Sequence, residues 1–315
     1  MNHVHKPIVF MLMSTLSLSV TGLLAKQLSE ALSVTMFSFL RFFLPALILL
    51  LVLIPKGIKL PKSTELKPTL LRALCIGLSQ LCFIASLQTL TLVESVVLFA
   101  TGPLFMPVIE KLVWHGKIRA STVFGIVMAF SGVVLLAGTE GEFTLRYDLL
   151  LGLAGGLFNS GSQLTLYKVS KSNMSPLEIN FWAFSFAALF ILPLALINDG
   201  SGLLGAHSFS LSVEPSVLWL LAMSMLIINT QVFRAKAYQL ASSGSQLAPL
   251  IFTNLLFTAV WQSLFFADVM SRTQIAGMGL IVLATVLNGC WDVLVKHHQS
   301  KALQTRTSYC LVKVS

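Results

Sequence analysis

Charge is what this sequence has least of. Asp, Glu, Lys and Arg make up 10% of its 315 residues, against roughly 25% in soluble domains. A soluble globular chain is thereby excluded, and the mean hydropathy of +0.85 points the same way. Acids are the scarcer sign, 12 against 21 basic residues. In a soluble chain the net +9 would indicate nucleic acid. In an apolar one it reflects Lys and Arg gathered in cytoplasmic loops, so no nucleic-acid partner is expected. Cysteine is sparse too. Cys75, Cys82, Cys290 and Cys310 show neither metal-type pairing nor a disulfide framework. Cys75 and Cys82 share one helical face and read as small packed residues.

Catalytic signatures are also missing. There is no His-Glu-x-x-His, no Gly-x-Ser-x-Gly, no phosphate-cradling glycine loop and no pair of intramembrane aspartates. His297 and His298 sit in a basic tail, where contact with solvent or lipid headgroups fits better than metal binding. No enzyme, cofactor or metal is expected. Any work on a solute must then draw on a gradient.

Apolar length is what the chain has in abundance, 56% of it being hydrophobic. Uncharged stretches at 7–25, 34–55, 73–91, 94–113, 120–138, 149–167, 177–197, 215–235, 246–267 and 273–294 predict ten spans. At about 20 residues each these take roughly 200 and leave about 115 for ends and connections, too few for a sizeable soluble domain. The first stretch runs into Lys26 without a small-residue cleavage site and reads as a retained helix.

Basic residues orient the spans. With the N-terminus in the cytoplasm, Lys6, the run Lys56, Lys59, Lys62, Lys67 and Arg72, and then Lys111, Lys117 and Arg119 fall inside. So do Lys168, Lys171, Arg234, Lys236, Lys296, Lys301, Arg306 and Lys313. Only Lys26, Arg146 and Arg272 fall outside, with Arg41 inside the second span, while Glu140, Glu142, Asp148, Asp199 and Glu214 occupy outer loops. An odd number of spans would put the basic tail outside, so both termini are expected in the cytoplasm. The expected location is the cell membrane, the inner one in a Gram-negative cell.

The halves repeat. A shift of 142 puts Lys26 on Lys168, Ser33 on Ser175 and Phe39 on Phe181, and a later shift of 151 puts Gln88 on Gln239 and Gly138 on Gly289. Each half then holds five spans, and because five is odd the second copy is upside down. The expected fold is an all-α membrane protein of ten transmembrane helices in two inverted five-helix repeats. The repeats are 1–145 and 146–296, and 297–315 is a basic cytoplasmic tail. Inverted repeats of this kind build two gates around one midplane site.

Here the sequence resembles the drug/metabolite transporter superfamily, of the EamA-like ten-helix type. The resemblance runs over 7–294. It rests on Ala25–Lys26 to Arg41–Phe42, on Ser86-Leu87-Gln88-Thr89-Leu90-Thr91-Leu92-Val93-Glu94, on Gly102-Pro103-Leu104-Phe105, and on Ala237-Tyr238-Gln239-Leu240-Ala241 with Ala248-Pro249. Where that family usually carries Leu-Gly-Glu, this chain has His115-Gly116-Lys117 and Ala267-Asp268. The resemblance implies two packed repeats, a central cavity and alternating access.

Polar side chains within spans are the candidate site, since such groups face partners or a watery cavity. Gly152, Gly156, Asn159 and Gln163 form one helical stripe, and the shift of 142 turns the last three into Ser14, Ser17 and Thr21. Helix packing is the alternative for these small and polar rows. Gln80 and Gln88 share a face with Gly77; Asn229 and Gln231 lie in the eighth span; Asn254, Thr258 and Gln262 line one side of the ninth. Glu94 opens the fourth span, either as a gate acid or as a charge stabilising a helix start. Arg41, about seven residues into its span, can snorkel to the outer interface. Gly102-Pro103 and Ala248-Pro249 interrupt corresponding helices.

Ser17, Thr21, Gln80, Gln88, Glu94, Asn159, Gln163, Asn229 and Asn254 are therefore expected to bind a small-molecule substrate. Amides both donate and accept, which suits zwitterionic or neutral polar solutes. The expected function is secondary transport of an amino acid or similar metabolite, with export the expected direction. One alternative is import or exchange of a nucleoside or S-adenosylmethionine; the other is a non-transporting scaffold or receptor. Partners are the bilayer, protons or a counter-substrate, and the assembly a monomer or homodimer.

Overall fold

The structure is a computed structural model. It describes residues 5–29, 32–114, 120–139, 142–143, 147–204, 215–240, 250, 253–266, 272–273, 275–284 and 286–287. The helices are α1 (His5–Ser29), α2 (Val34–Leu53), α3 (Ser63–Thr89), α4 (Leu92–Phe99), α5 (Gly102–Trp114), α6 (Ala120–Ala137), α7 (Tyr147–Ser170), α8 (Pro176–Leu204), α9 (Pro215–Leu240) and α10 (Thr253–Phe265). A further apolar helix covers Ile275–Ala284. Among the described residues the only strand pairing is Gly138–Thr139 with Glu142–Phe143. The basic tail, Ala248–Pro249, His115–Lys117 and Ala267–Asp268 lie outside the described residues.

Six of the described helical segments are long and apolar enough to cross a membrane: Lys6–Ser29, Val34–Lys56, Ser63–Thr89, Leu92–Ile109, Pro176–Asn198 and Val217–Leu240. Their outer faces carry exposed Leu51, Leu71, Leu189, Ile197 and Leu218. Apolar surface on that scale belongs against lipid tails. This is an all-helical, multi-pass membrane protein.

Local sequence explains the helix starts. Ser33 caps α2, accepting from Met36 N at 3.2 Å, and its repeat equivalent Ser175 accepts from Glu178 N at 3.3 Å. Glu178 Oε2 returns the contact to Ser175 N at 2.8 Å, a reciprocal box at the start of α8. Thr91 and Glu94 make the same box at α4. Beyond α2, the turn Ile54–Lys56 ends at Gly57, whose φ of 76° a residue with a Cβ rarely adopts.

Two expected spans are corrected in detail. The helix expected at 73–91 begins at Ser63, which brings Arg72 inside it. The helix expected at 94–113 is broken between Phe99 and Gly102 into α4 and α5. Pro103 has no N–H for the carbonyl of Phe99, four residues back, and Thr101 closes the end of α4, its N–H and Oγ1 both donating to Leu98 O, at 3.1 and 2.6 Å.

Helices pack across the halves. α1 lies on α9, α3 on α7, α2 on α8, α1 on α10, and α7 on α4 and α5. Contacts run antiparallel: Phe10 meets Phe233 and Ser14 meets Thr230, while Cys75 approaches Gly161 and Ser79 bonds Gly155. Exchanging α1, α2, α3 and α4–α5 with α7, α8, α9 and α10, their counterparts under the sequence shifts, leaves this pairing unchanged. Detail repeats as well. Gln88 Nε2 donates to Ser29 O at 3.3 Å, at the last residue of the first helix of its half. Its equivalent Gln239 donates to Met174 O at 3.4 Å beyond the first helix of the other half.

Candidate functional site

α2 and α8 meet face to face through Phe42 and Phe184, whose ring centroids lie 6.0 Å apart. These residues are equivalent under the shift of 142, so like positions of the two halves meet here. A cavity of about 30 Å³ adjoins them, walled by α1 (Leu18, Thr21), α2 (Arg41, Phe42), α3 (Ile76, Gln80), α8 (Phe184) and α9 (Ile227, Thr230, Gln231). The shift of 151 pairs Ile76 with Ile227 and Gln80 with Gln231. Six of the ten lining residues thus form three equivalent pairs. The volume suits a water rather than an organic solute, so a solute enters only when helices part.

The cavity has polar atoms in want of bonds. Arg41 Nη1, Gln80 Oε1 and Thr230 Oγ1 are buried without a hydrogen-bond partner. Most buried polar atoms in proteins are paired. A guanidinium donor, an amide acceptor and a hydroxyl around one space are what a polar solute binds.

Toward one end of α3 and α9 lie two more buried arginines. Arg72 is fully buried and Arg234 is 3% exposed. Arg72 Nη2 donates to Asn180 Oδ1 at 2.7 Å and to Gln231 Oε1 at 3.4 Å, and Nη1 donates to Ile179 O at 3.4 Å. Gln231 therefore links this arginine to the cavity. Arg234 lies within electrostatic reach of Arg72 and of Tyr238, and its Nε and Nη2 have no partner. Among the described residues no carboxylate faces Arg41, Arg72 or Arg234. The buried acids Glu94 and Glu178 have their carboxylates in capping boxes. A buried cation without a partner is strongly destabilising.

The expected residues divide between this cavity and packing contacts. Gln80 and Thr21 line the cavity. Ser17 accepts from Asn229 Nδ2 at 2.7 Å, joining α1 to α9. Gln163 Nε2 donates to Asn159 Oδ1 at 3.3 Å, and Tyr238 OH donates to Gln163 Oε1 at 3.3 Å, so this pair joins the polar row that leads to Arg234. Gln88 is exposed near the end of α3. Asn254, Thr258 and Gln262 share the buried face of α10, and that helix packs on α1 and α4. Gly152 and Gly156 serve close approach: a Cβ on Gly156 would stand 3.0 Å from Phe99 O and 3.1 Å from Leu98 O.

Arg41 does not snorkel; it is 5% exposed and turns inward to the cavity. Arg72 and Arg234, sorted by sequence as cytoplasmic charges, are inside the fold, and Gln231 proves a wall residue. The shift of 151 applied to Gln80 carries the signal for Gln231. Nothing local in the sequence marks the two arginines.

The EamA-like transporter family profile matches residues 5–138 and again 147–290. The chain belongs to the EamA-like transporter family. This EamA-like protein is thus a membrane transporter and not an enzyme. It is 22% identical over 283 residues to the pseudopaline exporter of Pseudomonas aeruginosa, covering 89% of this chain and 94% of that one. It is 25% identical over 289 residues to the uncharacterized transporter YetK of Bacillus subtilis, covering 88% and 83%. A solved crystal structure covers 87% of this chain and 97% of its own with a TM-score of 0.52 and 16% identity, a likeness of fold alone.

Proposed function

We propose that this transporter exports an amino acid or similar small polar metabolite across the cell membrane by alternating access. Ten spans form two inverted repeats, 1–145 and 146–296, with both termini and the basic tail 297–315 in the cytoplasm. The observation that carries the reading is the polar cavity beside Phe42 and Phe184, walled by the equivalent pair Gln80 and Gln231. A site on the axis meets the same walls from either side, so rocking one half against the other exposes it to each face in turn. The exchange-invariant packing supports the repeat boundaries, and the relative named as an exporter supports the direction. The cavity is complete within one chain, so a monomer suffices and a homodimer adds nothing to the site. The driving gradient is one of protons or of a counter-substrate.

Purified protein in liposomes, loaded in turn with radiolabelled amino acids, nucleosides and S-adenosylmethionine, tests this. Saturable amino-acid flux is expected, lost in Gln80→Leu and Gln231→Leu, while Gln80→Leu loses only about 0.6 kcal/mol of stability, the worth of an average interhelical bond. Flux of nucleoside or S-adenosylmethionine alone would favour the importer or exchanger. No flux of any solute would leave a scaffold or receptor.

A further inference from the structure

Three cations are buried in the described helices, and no carboxylate among the described residues faces any of them. The repeat supplies an internal control, because each position has a counterpart in the other half. Arg41 corresponds to Ala183 under the shift of 142, and Arg72 to Met223 and Arg234 to Phe83 under the shift of 151. All three counterparts are buried and apolar. The same helix contacts are therefore built once with an arginine and once without. A charge that the counterpart position does without, buried and lacking a carboxylate partner among the described residues, calls for a negative charge from elsewhere. Their placement follows a path. Arg72 and Gln80 share one face of α3, two turns apart. Gln231 and Arg234 sit close on α9, and Gln231 both walls the cavity and accepts from Arg72. Arg41 faces the cavity from α2.

We infer that the transported solute carries an oxyanion, a carboxylate or phosphate group. Arg41 holds it in the axial cavity, and the Arg72–Arg234 pair receives it at one end of the path. Guanidinium suits this task because its planar fork donates two parallel bonds to such a group and stays charged when buried. The inference rests on the transport reading above and narrows it, since a neutral or purely cationic solute would leave the three charges uncompensated.

The test uses the purified full chain in phosphatidylcholine nanodiscs, whose lipids carry no net charge to fill the site. Succinate and glycerol 3-phosphate are compared with succinamide, glycerol and putrescine at matched ionic strength. At saturation one or both anions should raise the melting temperature by about 2 °C or more, and the three uncharged or cationic compounds should not. Succinate alone acting would assign a carboxylate, glycerol 3-phosphate alone a phosphate. Arg41→Gln and Arg234→Gln should abolish the anion effect and, with no anion added, melt no lower than the unmodified protein, because a buried unpaired charge has been removed. The exposed Arg272→Gln serves as a control and should change neither.

Anions that act no better than succinamide, or that still stabilise Arg41→Gln and Arg234→Gln, would overturn the inference. So would a lower melting temperature of these variants without anion, the mark of a structural arginine. Liposome flux separates the two readings. Anion-dependent stabilisation without any flux would overturn transport and leave the binding site. Flux of a neutral solute that survives both substitutions would overturn the anion site and leave transport. If both hold, flux of the anion falls about tenfold or more in Arg41→Gln.

Discussion

Glu94 is an acid 3% exposed in an apolar setting, and its surroundings decide between its two roles. Its Oε2 accepts from Thr91 N at 2.9 Å and Thr91 Oγ1 at 3.0 Å, while its own N–H donates to Thr91 Oγ1 at 3.2 Å. A glutamine fits the same box, since its amide oxygen can accept from Thr91 N. Glu94→Gln should therefore change stability by at most about 1 kcal/mol. Thr91→Ala, which removes the hydroxyl from both directions of the box, should cost about 1 kcal/mol. Chemical unfolding in detergent reads both. Flux of Glu94→Gln should keep the pH profile of the unmodified protein between about pH 5 and 8; a displaced profile would make Glu94 a gate acid as well as a cap.

Among elements, the broken fourth span depends on a glycine in another helix. Gly156 of α7 lies against the carbonyls of Leu98 and Phe99 and the hydroxyl of Thr101, where a Cβ would sit 2.9 Å from Thr101 Oγ1. Ser160, one turn on, donates to Gly102 O across the same break. Backbone carbonyls cannot rotate aside as a side-chain tip can, so Gly156→Ala should destabilise by about 2 kcal/mol, as overpacking does. Its neighbour Gly155 has room: a Cβ there meets Phe99 Cδ2 and Ser79 O at 3.4 Å. Gly155→Ala should be neutral or stabilising by up to about 1 kcal/mol, since alanine is the better helix former. Equal losses in both variants would mean that α7 as a whole, and not the contact at the break, is the sensitive feature.

At the scale of the whole molecule the prediction concerns orientation. We predict cytoplasmic placement of 56–68, 114–119 and 168–175, and outward placement of 139–148 and 198–214, from the sorting of basic residues. Single cysteines introduced in each loop of a cysteine-free variant, probed with an impermeant thiol reagent on intact cells, should label only the last two groups. Labelling at 56–68 would reverse the topology and with it the direction in which the arginine path runs.

The sequence by itself determined that this chain is helical and lives in a membrane, because apolar length and scarce charge leave no other solvent for it. It also carried the repeat, since Ser33 and Ser175 make the same local cap in each half, and Gln88 and Gln239 each reach back to the chain at or just past the end of the first helix of their half. Caps are short-range, so Ser33 and Ser175 stand out as identities at a fixed shift. The cavity was only half legible. Gln80 was named from its place in an apolar stretch, but whether a polar residue faces a cavity or a neighbouring helix depends on which helix lies across from it. Tertiary structure alone decided that Asn229 ties to Ser17 while Gln231 walls the cavity, though the two are a turn fragment apart. It alone decided the arginines. A positive charge near the end of an apolar run reads as a loop anchor, and only the ten additional residues at the start of α3 and the packing of α9 on its neighbours draw Arg72 and Arg234 out of reach of solvent.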